Sequence, residues 1–216
     1  MILSRIICLV IGYLLGLIQT GYIYGKAHNI DIREHGSGNA GTTNTLRTLG
    51  WKAGAVTFIG DLCKAMLAIL LAWLLFRDRY SEGVKVLEMY AGLGAVLGHN
   101  YPFYLKFKGG KGIACTSGFI LACFWHIAPI CLVLFILAVA ITRYVSLGSI
   151  LVVISFYIQL IIFGQMGIFP VAEQYLTEVY IVGAVFTLLA LWKHKANIKR
   201  LLTGTENKFG MSKKEA

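Results

Sequence analysis

The sequence predicts an all-α integral membrane protein: a bundle of seven transmembrane helices with the N-terminus outside and the C-terminus cytoplasmic. Three observations carry that reading. Hydrophobic residues fill 57% of the 216 positions and charged residues only 14%, with mean hydropathy +0.72; a soluble domain carries about a quarter charged residues. Apolar runs close to the roughly 20 residues that cross a hydrocarbon core recur along the chain. Finally, most lysines and arginines collect in three polar regions between or after those runs, the asymmetry expected of cytoplasmic loops.

The elements follow in order. Ile2 to Tyr24 is a full span, too long and without the small-residue cleavage site of a signal peptide. Ala53 to Phe76 is the second. It contains Asp61 and Lys64 at i, i+3; a mutual ion pair accounts for both, and a direct role in a site is the alternative. Val84 to Tyr104 is a weaker third. Gly112 to Thr142 is long for one helix and short for two, with Pro129 near its middle favouring a break. Val145 to Gly164 follows, then Glu178 to Trp192, which Val171 or Ala172 could begin earlier.

Charge decides the ambiguous stretch. Lys26, Arg33, Arg47 and Lys52 occupy the first polar region, Lys106, Lys108 and Lys111 the second, and Lys193, Lys195, Lys199, Arg200, Lys208, Lys213 and Lys214 the third. All three share the cytoplasmic side only if 112–142 is a hairpin of two spans. Arg143 to Ser146 then also faces the cytoplasm, while Arg5, Arg77, Arg79 and Lys85 lie outside. The chain therefore divides into one membrane domain, 1–203, with cytoplasmic loops at 25–52, 98–112, 142–146 and 193–203, and a polar, frayed tail at 204–216.

The polar segments carry phosphate-binding chemistry. Gly36-Ser37-Gly38-Asn39-Ala40-Gly41 lets backbone amides approach an oxyanion, and Ser37, Asn39, Thr42, Thr43 and Asn44 add donors. Arg47 can clamp phosphate bidentately. This is no Walker A loop, because Gly-Lys-Ser/Thr is missing. Gly109-Gly110-Lys111-Gly112 opens a helix, where free N–H groups favour anions and Lys111 adds charge; Lys106 and Lys108 read as snorkelling interfacial residues. His194 and Asn197 share a face if the last helix continues past the membrane surface. His99 beside Asn100 reads equally as a capping or a catalytic residue. His28, His35 and His126 read as ordinary. The five cysteines, Cys8, Cys63, Cys115, Cys123 and Cys131, lie in apolar runs without metal spacing and read as small buried hydrophobes. No residue of the sequence calls for a metal or cofactor.

Three of these motifs resemble, in order, those of the bacterial acyl-phosphate:glycerol-3-phosphate acyltransferase (PlsY) family: Gly36 to Arg47; Gly98 to Pro102 with Phe107 to Gly112; and His194 to Leu201. Asp61 to Lys64 and Arg143-Tyr144-Val145-Ser146 are similar as well. Cys115-Thr116 departs from the usual Val-Ala-Thr without touching a chemical group. The resemblance implies acyl transfer from acyl phosphate to the 1-hydroxyl of glycerol 3-phosphate in the bacterial inner membrane, the first acylation of phospholipid synthesis, with no acyl-enzyme. It implies Ser37, Arg47, Lys111, His194 and Asn197 as catalytic residues. It implies substrate binding by Gly36, Gly38, Asn39, Gly41, Thr43, Asn44, His99, Asn100, Gly109, Gly110, Gly112, Ser146 and Arg200. Partners would be glycerol 3-phosphate, acyl phosphate and membrane lipid, with a functional link to the enzyme supplying acyl phosphate, and neither nucleic acid nor an obligate protein partner. The chemistry is coherent. An acyl phosphate is already activated, so the protein needs cations to gather two anions rather than a nucleophile. The His-x-x-x-x-Asp pair of common glycerolipid acyltransferases is absent, since the positions five after the histidines are Arg33, Ala40, Tyr104, Cys131 and Lys199. A transporter of phosphorylated metabolites is the alternative; it needs polar groups through the bilayer, and only Asp61 and Lys64 offer them.

Overall fold

The computed structural model describes residues 1–210 and is all-helical within them. Its helices are α1 (Ile2–Gly16), α2 (Thr20–Ala27), α3 (Thr42–Leu49), α4 (Trp51–Phe76), α5 (Val84–Asn100), α6 (Ile113–Cys123), α7 (Ala128–Thr142), α8 (Val145–Gln165), α9 (Glu173–Lys193) and α10 (Lys195–Leu202). Lys213 and Lys214 lie outside the described residues. Five stretches have the length and composition to cross a membrane: Ile2–Ala27, Trp51–Phe76, Trp125–Thr142, Val145–Gln165 and Glu173–Lys193. Helices α5 and α6 are shorter, at 17 and 11 residues.

Large apolar side chains such as Leu14, Leu67, Leu132, Ile136, Ile158 and Leu188 point outward, so apolar surroundings rather than water suit this surface. Small residues bring the helices together. Gly12 and Gly16 of α1 face Gly94 and Gly98 of α5, and a Cβ on any of the four would enter the opposing backbone. This is small-xxx-small packing, in which dispersion between close backbones holds helices that lipid cannot drive together. Gly118 lets α6 meet Leu62 of α4 in the same way. The centre is aromatic: Phe119 stacks on Phe186 with ring centroids 4.2 Å apart, and Phe124 and Phe156 meet Phe119 edge-on.

The first span departs from the expected single rod. It breaks between Gly16 and Thr20, and the freed carbonyls find partners elsewhere. Gln19 Nε2 donates to the carbonyls of Gly16, Gly98 and His99; Lys64 Nζ donates to Ile18; Tyr104 Oη donates to Leu17. Such satisfaction is obligatory for backbone buried away from water. The stretch 112–142 folds as two helices rather than one: α6 ends at Cys123, before a short 3-10 turn at Trp125–Ile127, and Pro129 sits in the first turn of α7. Proline is tolerated there because that N–H lacks a helical partner anyway. Asp61 and Lys64 do pair, at 2.7 Å, and Lys64 also meets His99 Nδ1 at 3.0 Å. Cys63 corrects one expectation: it is exposed on the apolar surface of α4, while the other four cysteines are buried. The end of the bundle remote from Lys111 is tied by Arg5 forking onto both carboxylate oxygens of Glu178, at 2.5 and 2.6 Å.

Candidate active site

Four segments distant in sequence meet at one end of the bundle around a cavity of about 160 Å³. The first is the glycine-rich loop and α3. Gly36 and Gly38 hold φ of 60° and 70°, which only glycine adopts freely. Asn44, buried on α3, organises the loop. Its Oδ1 accepts from the Ser37 amide at 2.7 Å, and its Nδ2 donates to the carbonyls of Ile32 and His35 at 2.9 and 3.0 Å. Asn39 Oδ1 accepts from the Gly41 amide at 2.9 Å. These bonds shape the loop and leave Ser37, Thr42, Thr43 and Arg47 on the cavity wall. The buried hydroxyl of Thr42 has no partner, and α3 begins there, so its first amides lack intrahelical acceptors.

The second segment folds back on the end of α5. Gly110 and Gly109 donate their amides to the carbonyls of His99 and Asn100, at 3.1 and 3.3 Å. A Cβ on Gly109 would strike the His99 carbonyl, and one on Gly110 the His99 ring. Gly112 then caps α6 with φ 81°, and Lys111 reaches across to Asn197 Oδ1 at 2.5 Å. Burial pushes the Lys111 ammonium down to about 8; Glu206 opposes that shift, while Arg200, Lys193 and Arg47 reinforce it.

The third and fourth segments close the cavity. Ser146 on α8 lines it with a buried, unpartnered hydroxyl, beside Ser149. His194 caps α10, and its Nδ1 lies 2.8 Å from the Ala190 carbonyl. That bond places the proton on Nδ1 and leaves Nε2 as an acceptor. Burial and the neighbouring Lys111 lower its pKa to about 4, so His194 is neutral in the physiological range. The Glu206 carboxylate accepts from Asn197 Nδ2 at 3.1 and 3.2 Å and from Arg200 Nε at 2.9 Å. Phe209 ties this turn down through its amide on the Arg143 carbonyl, at 2.7 Å. Phe58, Ile113, Ala114, Phe135 and Val145 give the cavity an apolar side. Among the described residues no serine or cysteine is hydrogen-bonded to a histidine.

Thirteen expected residues line this cavity: Ser37, Asn39, Gly41, Thr43, Asn44, Arg47, His99, Lys111, Gly112, Ser146, His194, Asn197 and Arg200. Gly36, Gly38, Asn100, Gly109 and Gly110 do not. Gly36, Gly109 and Gly110 are there for close approach, against Asn44 and the end of α5. Gly38 instead borders a second depression with Arg33, Tyr104, Lys106 and Lys108. Asn100 is buried with both side-chain atoms unpartnered, while its carbonyl accepts from Lys193 Nζ at 3.1 Å. His194 and Asn197 meet in the cavity, although α9 stops at Lys193 and a new helix begins. Sequence reasoning missed Phe58, Phe135, Ser149, Glu206 and Asn207. Glu206 had one signal, as the acid six positions beyond Arg200 in a lysine-rich tail; the expected fraying does not apply to it.

A family model described as glycerol-3-phosphate acyltransferase matches residues 6–204. The chain belongs to the PlsY family of glycerol-3-phosphate acyltransferases. It is 44% identical to a glycerol-3-phosphate acyltransferase of Clostridioides difficile (strain 630), covering 98% of each chain, and 41% identical to that of Thermoanaerobacter sp. (strain X514), covering 93% of each. It is similar to the crystal structure of PlsY (YgiH), an integral membrane glycerol 3-phosphate acyltransferase, in its glycerol 3-phosphate form, with TM-score 0.83, 36% identity and 96% of each chain covered. The lysophosphatidic acid form of that enzyme gives TM-score 0.81 at 35% identity, again with 96% of each chain covered. Membership in the PlsY family makes this chain a membrane acyltransferase and replaces the transporter alternative.

Proposed function

We propose that this enzyme transfers a fatty acyl group from acyl phosphate to the 1-hydroxyl of glycerol 3-phosphate, giving 1-acyl-glycerol 3-phosphate and inorganic phosphate. One observation carries the reading. Arg47, Lys111 and Arg200 converge on a single cavity with the unpartnered hydroxyls of Thr42 and Ser146, and among the described residues no serine or cysteine beside them is hydrogen-bonded to a histidine. Two like charges about 4 Å apart repel by roughly 4 kcal/mol at a protein surface, so cations that gather two phosphates lower the barrier by positioning alone. The glycerol oxygen attacks the acyl carbon, the carbon–oxygen bond to phosphate breaks, and the hydroxyl proton leaves on a phosphate oxygen. Ser37 donates a hydrogen bond to phosphate, neutral His194 accepts one through Nε2 from the 1-hydroxyl before that proton passes to phosphate, and Asn197 holds Lys111. The apolar wall at Phe58, Ile113 and Phe135 receives the acyl chain. The glycerol 3-phosphate and lysophosphatidic acid forms of the related PlsY support the same acceptor and product.

The loops around this site are the cation-rich ones, so the positive-inside rule puts the site in the cytoplasm. Seven segments then cross the membrane, with α1 and α2 as one broken span and α6 and α7 as a hairpin. No metal or organic cofactor takes part. Purified protein in lipid, given labelled glycerol 3-phosphate, tests the donor. Long-chain acyl phosphate should give product, acyl-CoA should not, and intact mass after acyl phosphate alone should show no adduct. Equal rates from acyl-CoA, or a stoichiometric adduct discharged by glycerol 3-phosphate and absent in Ser37→Ala, would overturn the reading.

A further inference from the structure

Two carboxylates line the cavity, and they differ. Both oxygens of Glu206 are engaged by Asn197 and Arg200. Asp61 is not so used up. Its Oδ1 accepts from Lys64 Nζ at 2.7 Å and from Thr20 Oγ1 at 3.2 Å, while Oδ2 is buried without a partner in a side chain 1% exposed. Two of the ligand-like trio Asp61, His99 and Cys115 already hold a cation, because the Lys64 ammonium stands 2.7 Å from Asp61 Oδ1 and 3.0 Å from His99 Nδ1. A metal is therefore not needed to balance Asp61. Its free oxygen faces a different requirement. A buried acceptor is costly unless a donor reaches it, and a phosphate offers none. A hydroxyl does.

We propose that Asp61 Oδ2 accepts a hydrogen bond from the 2-hydroxyl of glycerol 3-phosphate and thereby selects the configuration at carbon 2. This rests on the function proposed above. Acyl phosphate carries no hydroxyl, so the acceptor substrate supplies the donor. Its 1-hydroxyl must meet the acyl carbonyl and release its proton to phosphate, which leaves the 2-hydroxyl. The carboxylate also repels phosphate and so turns the phosphate end toward Arg47, Lys111 and Arg200. Phosphate, reacting oxygen and 2-hydroxyl are then three fixed points around one stereocentre, and three points distinguish mirror images where two do not. Lys64 and Thr20 hold the carboxylate still, and His99 steadies Lys64.

The test compares kcat/KM for sn-glycerol 3-phosphate, its mirror image sn-glycerol 1-phosphate, and 3-hydroxypropyl phosphate, which lacks the 2-hydroxyl. Acyl phosphate is the donor throughout. Wild-type protein should favour the first over each of the others by about tenfold to a hundredfold, the range for hydrogen bonds to a charged group. Asp61→Asn, and the charge-balanced double variant Asp61→Leu with Lys64→Met, should narrow both preferences to within about twofold. Replacing a buried ion pair by apolar side chains of similar volume is often tolerated, so the double variant guards against misfolding of the single one. A purely structural Asp61 would lower all three rates together and keep the ratios, which overturns the proposal. Equal use of 3-hydroxypropyl phosphate by the wild-type protein overturns it without any variant. Absence of acyl transfer to every acceptor would instead bring down the functional reading beneath it.

Discussion

Replacing Glu206 by glutamine removes one charge and keeps the shape of the network around Lys111. The carboxylate accepts three hydrogen bonds from Asn197 and Arg200, and Asn197 in turn receives Lys111. Hydrogen bonds to a charged group contribute about 1.5–3 kcal/mol, but Arg200 is about a third exposed and its share is screened. A loss of about 2 kcal/mol in stability is the expected total. The second effect is electrostatic. Lys111 already sits down at about 8, and Glu206 is the neighbour that holds it up. Without that charge, Lys111 loses its proton at lower pH, and a neutral lysine binds phosphate poorly. The pH profile of kcat/KM reports groups on the free enzyme. Its alkaline limb, near pH 8 in the wild type, should therefore move downward in Glu206→Gln. The assay is acyl transfer from acyl phosphate between pH 6 and about 9.5, with thermal unfolding alongside. A limb that stays in place while stability falls would refute the coupling to Lys111. A variant unchanged in both would refute the network itself.

Four further outcomes follow from the same geometry. Lys111→Ala should cost about 2 kcal/mol, roughly thirtyfold in kcat/KM, while Lys108→Ala, off the cavity, should stay within about twofold; similar losses would mean diffuse electrostatics. Because the folded-state pKa of Lys111 lies below its unfolded value of about 10.4, burying the ammonium costs stability below about pH 8, and that cost lifts as pH rises between the two values. Added phosphate should accordingly raise the unfolding temperature more at pH 7 than at about pH 9.5. Gly110→Ala pushes a methyl group into the His99 ring and should destabilise by about 1–3 kcal/mol, read by thermal unfolding in detergent. In a cysteine-free background, a cysteine at position 80 should label from outside and one at position 205 only from inside; the reverse pattern would reject the proposed orientation.

Much of this architecture was legible from the sequence because a bilayer permits few solutions. Apolar length gave the long helices α4, α8 and α9 to within a few residues, and Arg47, Lys111, His194 and Asn197 declared themselves as polar groups in an apolar chain. Other features were hidden for physical reasons. The break at Leu17 to Gln19 is invisible locally, since its carbonyls are satisfied by Lys64, Tyr104 and Gln19, two of them far along the chain. Gly109 and Gly110 look like phosphate donors in sequence, yet only contact with His99 reveals that their lack of a Cβ is the point. Glu206 follows a helix end in a polar run, where its spacing from Arg200 was the one signal and does not by itself distinguish a frayed acid from a buried one.

The order in which the cavity wall is written along the chain has a consequence for how the enzyme is made. Its contributors begin at Ser37 and finish at Glu206 and Asn207, so every long apolar helix leaves the ribosome before the last of them. A nascent chain can insert its helices and bring Arg47, Lys111 and Arg200 near one another while still lacking the carboxylate that restrains Asn197 and Arg200. The restraint on this end of the cavity thus arrives last in synthesis, and a chain cut short after α10 would be integrated and helical but would lack the carboxylate that holds Asn197 and Arg200.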